Sequence, residues 1–229
     1  MGSTLRIFSG NLLNGGADPQ TVADIVSEHR IDIAALQELS HDQAEAVSEQ
    51  LPHGRLEPAS DFTGMGIALR HPAELDRVPL VYRDARIARL SPGVWPELEQ
   101  PVEIVTVHIA APHTWPPWSQ PARRGLQLAG LLAHLEKSPD GARAVVGDFN
   151  ATPIWTVYRR IAAVLEDLAL THARRTGTRP RPTWPSRAGL ARFLRIDHCF
   201  AQGLEVESLQ VIEIPGSDHA GLLLDLSPK

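Results

Sequence analysis

Six places in the chain carry side chains suited to chemistry: Asn11, Glu38, His108, Asp148 with Asn150, Asp197, and Asp218 with His219. The stretch AVVGDFNATP, residues 144–153, poses the question most sharply. Small and β-branched residues lead into a carboxylate and a carboxamide two positions apart, and a proline follows almost at once. A strand-end turn accounts for that pattern. So does a strand that delivers two oxygen-bearing groups to one side of a site. Carboxylates and amide oxygens are hard ligands of the kind Mg²⁺ takes, while an Asp–His pair suits proton transfer. The sequence has no Cys/His cluster with zinc-ligand spacing, which argues against a structural zinc site.

The surrounding elements decide whether these groups can meet. TLRIFSGN reads as a strand ending at Asn11. Asp18-Pro19 reads as an N-cap and first-turn proline, followed by Val22, Ile25 and Val26 at helical spacing. IDIAALQE is an apolar run ending in Glu38, and a polar helix is expected from about His41. GMGIALRHP, VPLVYR and ARIARL are short strand candidates. PVEIVTVHIAAP is apolar on both alternating faces, as for a strand covered on both sides, and ends at His108. Ser119 is expected to cap a helix lined by Leu128, Leu131, Leu132 and Leu135. ARAVVGDFN is the next strand, PIWTVYRRIAAVLEDL the next helix, and RIDHCFA, LEVESLQVIEI and AGLLLDL are three closing strands. Strand after strand thus stops on a polar group, which is the layout of an active-site rim. Strands and helices in irregular order imply two sheets packed face to face with helices outside.

Bulk properties bound the alternatives. A chain of 229 residues, 43% of them hydrophobic, can bury a full core, and residues 1–229 read as a single domain. No run approaches the roughly 20 apolar residues needed to span a membrane. The N-terminus lacks the basic-then-apolar pattern of a signal peptide, and the one cysteine, Cys199, is expected to be a buried hydrophobe. A cytoplasmic, monomeric protein is the expectation. The net charge of −5 excludes a general polyanion binder. Between His172 and Arg195, however, lie seven arginines and no acid. That run is either a solvated loop or a basic rim that draws in an anionic substrate.

FSGNL, LQELS, VTVHIAAP, VVGDFNATP, TWPS, IDHCFA and SDHAGLLLDL resemble, in order, the motifs of the endonuclease/exonuclease/phosphatase superfamily. The matching stretches run from about residue 5 to 226. The resemblance implies an α/β fold: a four-layer α-β-β-α sandwich of two mixed, mostly antiparallel sheets with the site at one mouth. It also implies a divalent-metal-dependent phosphoesterase, most plainly one that hydrolyses a phosphodiester by in-line attack of an activated water, with Mg²⁺ or Mn²⁺ as cofactor. Glu38 is then the metal carboxylate, with Asn11 beside it as ligand or orienter and Asp218 as a second metal contact. Asp148 orients or deprotonates the water, Asn150 holds a phosphate oxygen, and Asp197 pairs with His219. His108 takes the place of a phosphate-binding or acid histidine.

Other residues stay open between two readings. Arg124 covers a helix surface or positions a neighbouring carboxylate. Trp184 stacks in the site or packs. Trp115 and Trp118, on a proline-stiffened loop, contact substrate or a lipid interface, or else close the core edge. His198 belongs on the strand face opposite Asp197 and is left out of the catalytic set. A nuclease acting on DNA or RNA is the alternative to a small or lipid-linked phosphoester substrate. A non-catalytic phosphoester-binding module is the alternative of another class.

Overall fold

The computed structural model describes residues 4–113, 116–137, 141–186 and 189–229. Two six-stranded sheets form the centre. The first has the order β11-β12-β1-β2-β4-β3, built from β1 (Leu5–Asn11), β2 (Ile33–Gln37), β3 (His53–Glu57), β4 (Met65–Leu69), β11 (Leu204–Ile212) and β12 (Gly221–Pro228). The second has the order β5-β6-β7-β8-β10-β9, from β5 (Glu74–Val78), β6 (Ala85–Leu90), β7 (Val102–His108), β8 (Ala142–Asp148), β9 (Glu166–Asp167) and β10 (Asp197–Gln202). Each sheet has a single parallel pair at its centre, β1 with β2 and β7 with β8, and antiparallel pairs elsewhere. Helices α1 (Pro19–Glu28) and α2 (His41–Gln50) cover the first sheet. Helices α3 (Gln120–Glu136) and α4 (Thr156–Ile161) cover the second, and α5 (Leu168–Thr176) follows β9.

The two-residue period of the strands sorts the side chains into layers. On β1, Leu5 and Ile7 face the layer between the sheets while Phe8 packs outward under α1 and α2. On β7 and β8, Val102, Ile104, Ala142, Ala144 and Val146 face inward, and Val105, Val107 and Val145 pack outward under α3 and α4. Both faces are buried, which is why these strands read as continuous apolar runs.

The strand periodicity also places the chemistry. Asn11 continues the inward set of β1, His108 that of β7, Asp148 that of β8, and Asp197 begins that of β10. The apolar layer between the sheets turns polar where it opens at this rim. Register fixes the neighbours: His108 lies opposite Asp148 in the parallel pair, and Asp197 opposite Asp148 in the antiparallel pair.

Several local expectations change. The run VPLVYR is not a strand; β5 ends at Val78, and Leu80–Asp84 form the connection to β6, held by the Leu80 amide donating to Asp84. The helix expected over PIWTVYRRIAAVLEDL forms only as α4; the run then enters β9, and α5 starts at its last residue, Leu168. Asp167 caps α5, accepting from the Ala169 and Leu170 amides. Ser119 precedes α3 without capping it, because its hydroxyl donates to the Pro116 carbonyl instead. The cap at Asp18 forms, and Ser40, which the sequence reading did not name as a cap, caps α2 in a reciprocal capping box with Gln43.

Candidate active site

Asp148 is the hub. It is 1% exposed, and it accepts from the Asn150 amide at 2.7 Å and from Asn150 Nδ2 at 2.9 Å. Asn11 Nδ2 reaches it across the sandwich at 3.2 Å, joining the end of β1 to the end of β8. His108 Nε2 lies 3.5 Å from Asp148 and 3.6 Å from Glu38. His219 Nδ1 contacts both Asp197 oxygens at 3.0 and 3.1 Å, while its Nε2 points to Asp148 at 3.9 Å. The two sheets therefore contribute to one cluster.

Glu38 arrives by a different route. Alternation along β2 would send residue 38 to the face opposite Gln37, whose amide bridges inward to Thr106. Instead Glu38 adopts φ +53°, a left-handed backbone that a long side chain rarely takes, and its carboxylate enters the same cavity. Asn150 is also left-handed, at φ +46°, which an asparagine tolerates better. Such conformations cost about 1–3 kcal/mol each and persist where the surroundings enforce them.

The cavity measures about 610 Å³, and Glu38, His108, Asp148, Asn150, Asp218 and His219 line it. Asn11 and Asp197 sit behind this lining and hold it. Trp184 is on the wall, its indole donating to Asp218 Oδ2 at 3.1 Å. Trp184 therefore both lines the cavity and fixes a carboxylate. Arg124 does not position a carboxylate: its guanidinium donates to the backbone carbonyls of Ala110 and Asn150, the latter at 3.0 Å, and so ties the segments after β7 and β8 to α3. Trp115 lies outside the described residues, and Trp118 is exposed. His198 packs beneath Phe149, Tyr158 and Phe200, its Nε2 2.7 Å from the Ala151 carbonyl, on the face opposite Asp197.

No described residue of the arginine-rich run other than Trp184 and Leu194 contributes to the wall. Arg174 and Arg175 belong to α5, Arg192 pairs with Glu213, and Arg195 is buried against Asp167. The cavity's arginine is one that sequence reasoning missed. Arg83, 9% exposed, lies over the Tyr82 ring and faces Glu38 and Asp148, and its Nε has no hydrogen-bond partner among the described residues. Its only signal was a cation closing an apolar run, which is too common to single out. Phe62, Tyr82 and Trp155 form further wall that no motif announced.

Electrostatics follow from burial. Desolvation raises the Glu38 pKa against the Asn11 hydrogen bond and the His219 and Arg83 charges. Desolvation and the neighbouring Asp197 push Asp148 up to about 7, although His219 opposes them. Burial alone would lower His219, but Asp197, Asp148 and Asp218 outweigh it and raise its pKa to about 10. Burial, with Arg83 and His219 nearby, holds His108 well below 6.5 and hence neutral. Its Nδ1 has no partner among the described residues, so the N–H belongs on Nε2, facing the two carboxylates.

Glu38, Asp148, Asp197 and Asp218 outnumber the cations Arg83 and His219. An anionic ester entering this cavity would be repelled, and a hard divalent cation among these oxygens removes the repulsion. The donor set fits Mg²⁺ or Mn²⁺. Ligand atoms of Asp148, Asp197 and His219 also lie within 4.8 Å of one another. There the His219 Nδ1 is already bound to Asp197, so the Glu38 side of the cavity is the better seat.

A model of the Endonuclease/Exonuclease/phosphatase family matches residues 8–219. The chain belongs to the endonuclease/exonuclease/phosphatase family. No curated protein matches it by sequence. Among solved structures, it is similar to a mannosyl-6-phosphatase of Bacteroides thetaiotaomicron, with TM-score 0.75, 17% identity, and 97% of this chain and 99% of that one covered. A humanized D. rerio TDP2 is similar with TM-score 0.74 at 20% identity over 98% and 99% of the two chains. The human Nocturnin catalytic domain gives 0.70 at 21% over 100% and 96%. At these identities the likeness shows the fold of this endonuclease/exonuclease/phosphatase member, the α/β sandwich expected from its motifs.

Proposed function

We propose that the protein is a divalent-metal-dependent phosphoesterase that hydrolyses a phosphodiester by in-line attack of water. The observation that carries this reading is the convergence of Glu38, His108, Asp148 and His219 on one cavity from separate strands of both sheets. Glu38 and Asp218, with Asn11 behind, would hold the Mg²⁺ or Mn²⁺, which when bound supplies charge neutralisation at the phosphate.

The chain's own groups do the rest. Asp148, held by Asn11 and Asn150 and carrying a raised pKa, is poised to orient a water and take its proton. His219, held in one orientation by Asp197, keeps a positive charge beside the site where negative charge builds up. The Arg83 Nε–H, without a partner among the described residues, would donate to a non-bridging oxygen. His108 offers a neutral N–H. A small substrate suits the cavity better than a long duplex: among the described residues Arg83 is the one arginine in its lining, and duplex binding rests on many phosphate contacts.

The experiment is hydrolysis of bis(p-nitrophenyl) phosphate beside p-nitrophenyl phosphate, with Mg²⁺, with Mn²⁺ and with chelator. Chelator-sensitive release favouring the diester is expected. Turnover unaffected by chelator, or turnover of neither ester, refutes the reading.

A further inference from the structure

A second cavity of about 580 Å³ opens between α3 and the start of α4, and shares Pro112 and Trp155 with the first. Pro121, Leu128, Ile154 and Val157 supply apolar walls, and no acidic residue among the described ones lines it. Arg124 runs beneath, its guanidinium 5.6 Å from the Trp155 ring and bonded to the carbonyl of Asn150 in the first cavity. The groove and the phosphate cavity are thus two ends of one depression, with Trp155 between them.

Two features point to its occupant. Gln120 lines the groove and is 1% exposed, yet its Oε1 has no hydrogen-bond partner among the described residues. Its Nε2 makes only long contacts, 3.3 Å to the Pro116 carbonyl and 3.4 Å to Ser119 Oγ, so the amide can rotate to meet a ligand at little cost. Proline rings and an indole, 37% exposed at Trp155, are flat surfaces on which an aromatic ring stacks. A hydrocarbon chain would leave the amide unsatisfied. A flat ring with a polar edge satisfies both.

We propose that this groove is a specificity subsite that takes a nitrogen-heterocyclic, nucleobase-like ring tethered to the phosphate held in the first cavity. The inference deepens the phosphoesterase reading and rests on it for the position of the phosphate.

Gly125 provides the test. A Cβ there meets nothing within 4 Å, so Gly125→Leu extends into the groove from α3 without touching the phosphate cavity. Calorimetric titration in Mg²⁺ would compare methyl phosphate, octyl phosphate and thymidine 5′-monophosphate. The wild type should bind the nucleotide about tenfold more tightly than methyl phosphate. Gly125→Leu should cut that preference to less than about threefold while leaving methyl phosphate binding unchanged. Octyl phosphate binding as tightly as the nucleotide, or a preference that survives in Gly125→Leu, overturns the assignment. If no phosphate ester binds, the metal-site reading is what has failed. Uncharged thymidine then reads the groove alone: binding weakened by Gly125→Leu sustains the subsite, and equal or absent binding refutes it.

Discussion

At the scale of single residues, the unusual feature is how few groups do independent work. Asn11 and Asn150 hold Asp148, Asp197 holds His219, and the left-handed backbone at Glu38 aims its carboxylate. Replacing Glu38 with Gln, Asp148 with Asn or His219 with Ala should each lower kcat/KM on a model diester by roughly 10²–10⁴-fold. Circular dichroism should stay near wild type in all three; the melting transition should hold for the two carboxamides, which keep the shape of the group they replace, and fall for His219→Ala, which leaves buried Asp197 without its partner. Arg83→Met is expected to cost about 10²–10³-fold, mostly in kcat if its Nε–H meets charge that develops only in the transition state. A rise in KM alone would assign Arg83 to ground-state binding instead. The motif residues were legible because each lies at or next to one end of an apolar strand, where a carboxylate or amide has no structural business. Arg83 was not. Its position depends on the path of the β5–β6 connection, which tertiary contacts decide and local pattern does not.

At the scale of elements, the site depends on how closely strands approach. Gly147, at φ +143°, precedes Asp148, and a Cβ there would lie 2.1 Å from the Val107 carbonyl. Gly147→Ala should cost at least about 2 kcal/mol in urea unfolding and shift Asp148 away from His108. Behind β10, Tyr158, Asp167 and Arg195 form a buried network, with Arg195 Nη2 to Asp167 at 2.8 Å. Burial works to raise the Asp167 pKa, but Arg195 and Tyr158 prevail and hold it below 3.8. A carboxyl whose folded pKa is depressed contributes stability that is complete above its unfolded value and disappears as pH falls through the folded one. The wild type should therefore lose stability on acidification below about pH 4, where the unfolded carboxyl begins to protonate. Asp167→Asn should be less stable at neutral pH by about 3 kcal/mol, with a flatter acid limb, since it strands Arg195. Sequence periodicity missed this arrangement because Glu166-Asp167 continues the polarity of a helix face. Only the pairing of β9 with β10 and the capping by Asp167 break the helix there. The continuous apolar runs of β1, β7, β8 and β12 were legible for the opposite reason: burial on both sides leaves few other readings.

At the scale of the whole molecule, two sheets whose central strands bury both faces leave a polar outlet at one rim of the sandwich, and the candidate site occupies that outlet. The overall charge of −5 and the acidic cavity give an anionic substrate no long-range attraction. Turnover of a small diester should change by less than about threefold between 50 and 200 mM salt, whereas a protein gripping several duplex phosphates would lose about 10³–10⁵ in affinity over that range. A steep salt dependence on any substrate would point to phosphate contacts outside the cavity. The central claim is that Glu38 and Asp218 hold one hard cation in a cavity that both sheets build, and Mn²⁺ titration followed by electron paramagnetic resonance reads it directly. The account predicts one bound Mn²⁺ per chain in the wild type and its loss in Glu38→Gln. No binding in the wild type, or unchanged binding in the variant, would contradict it.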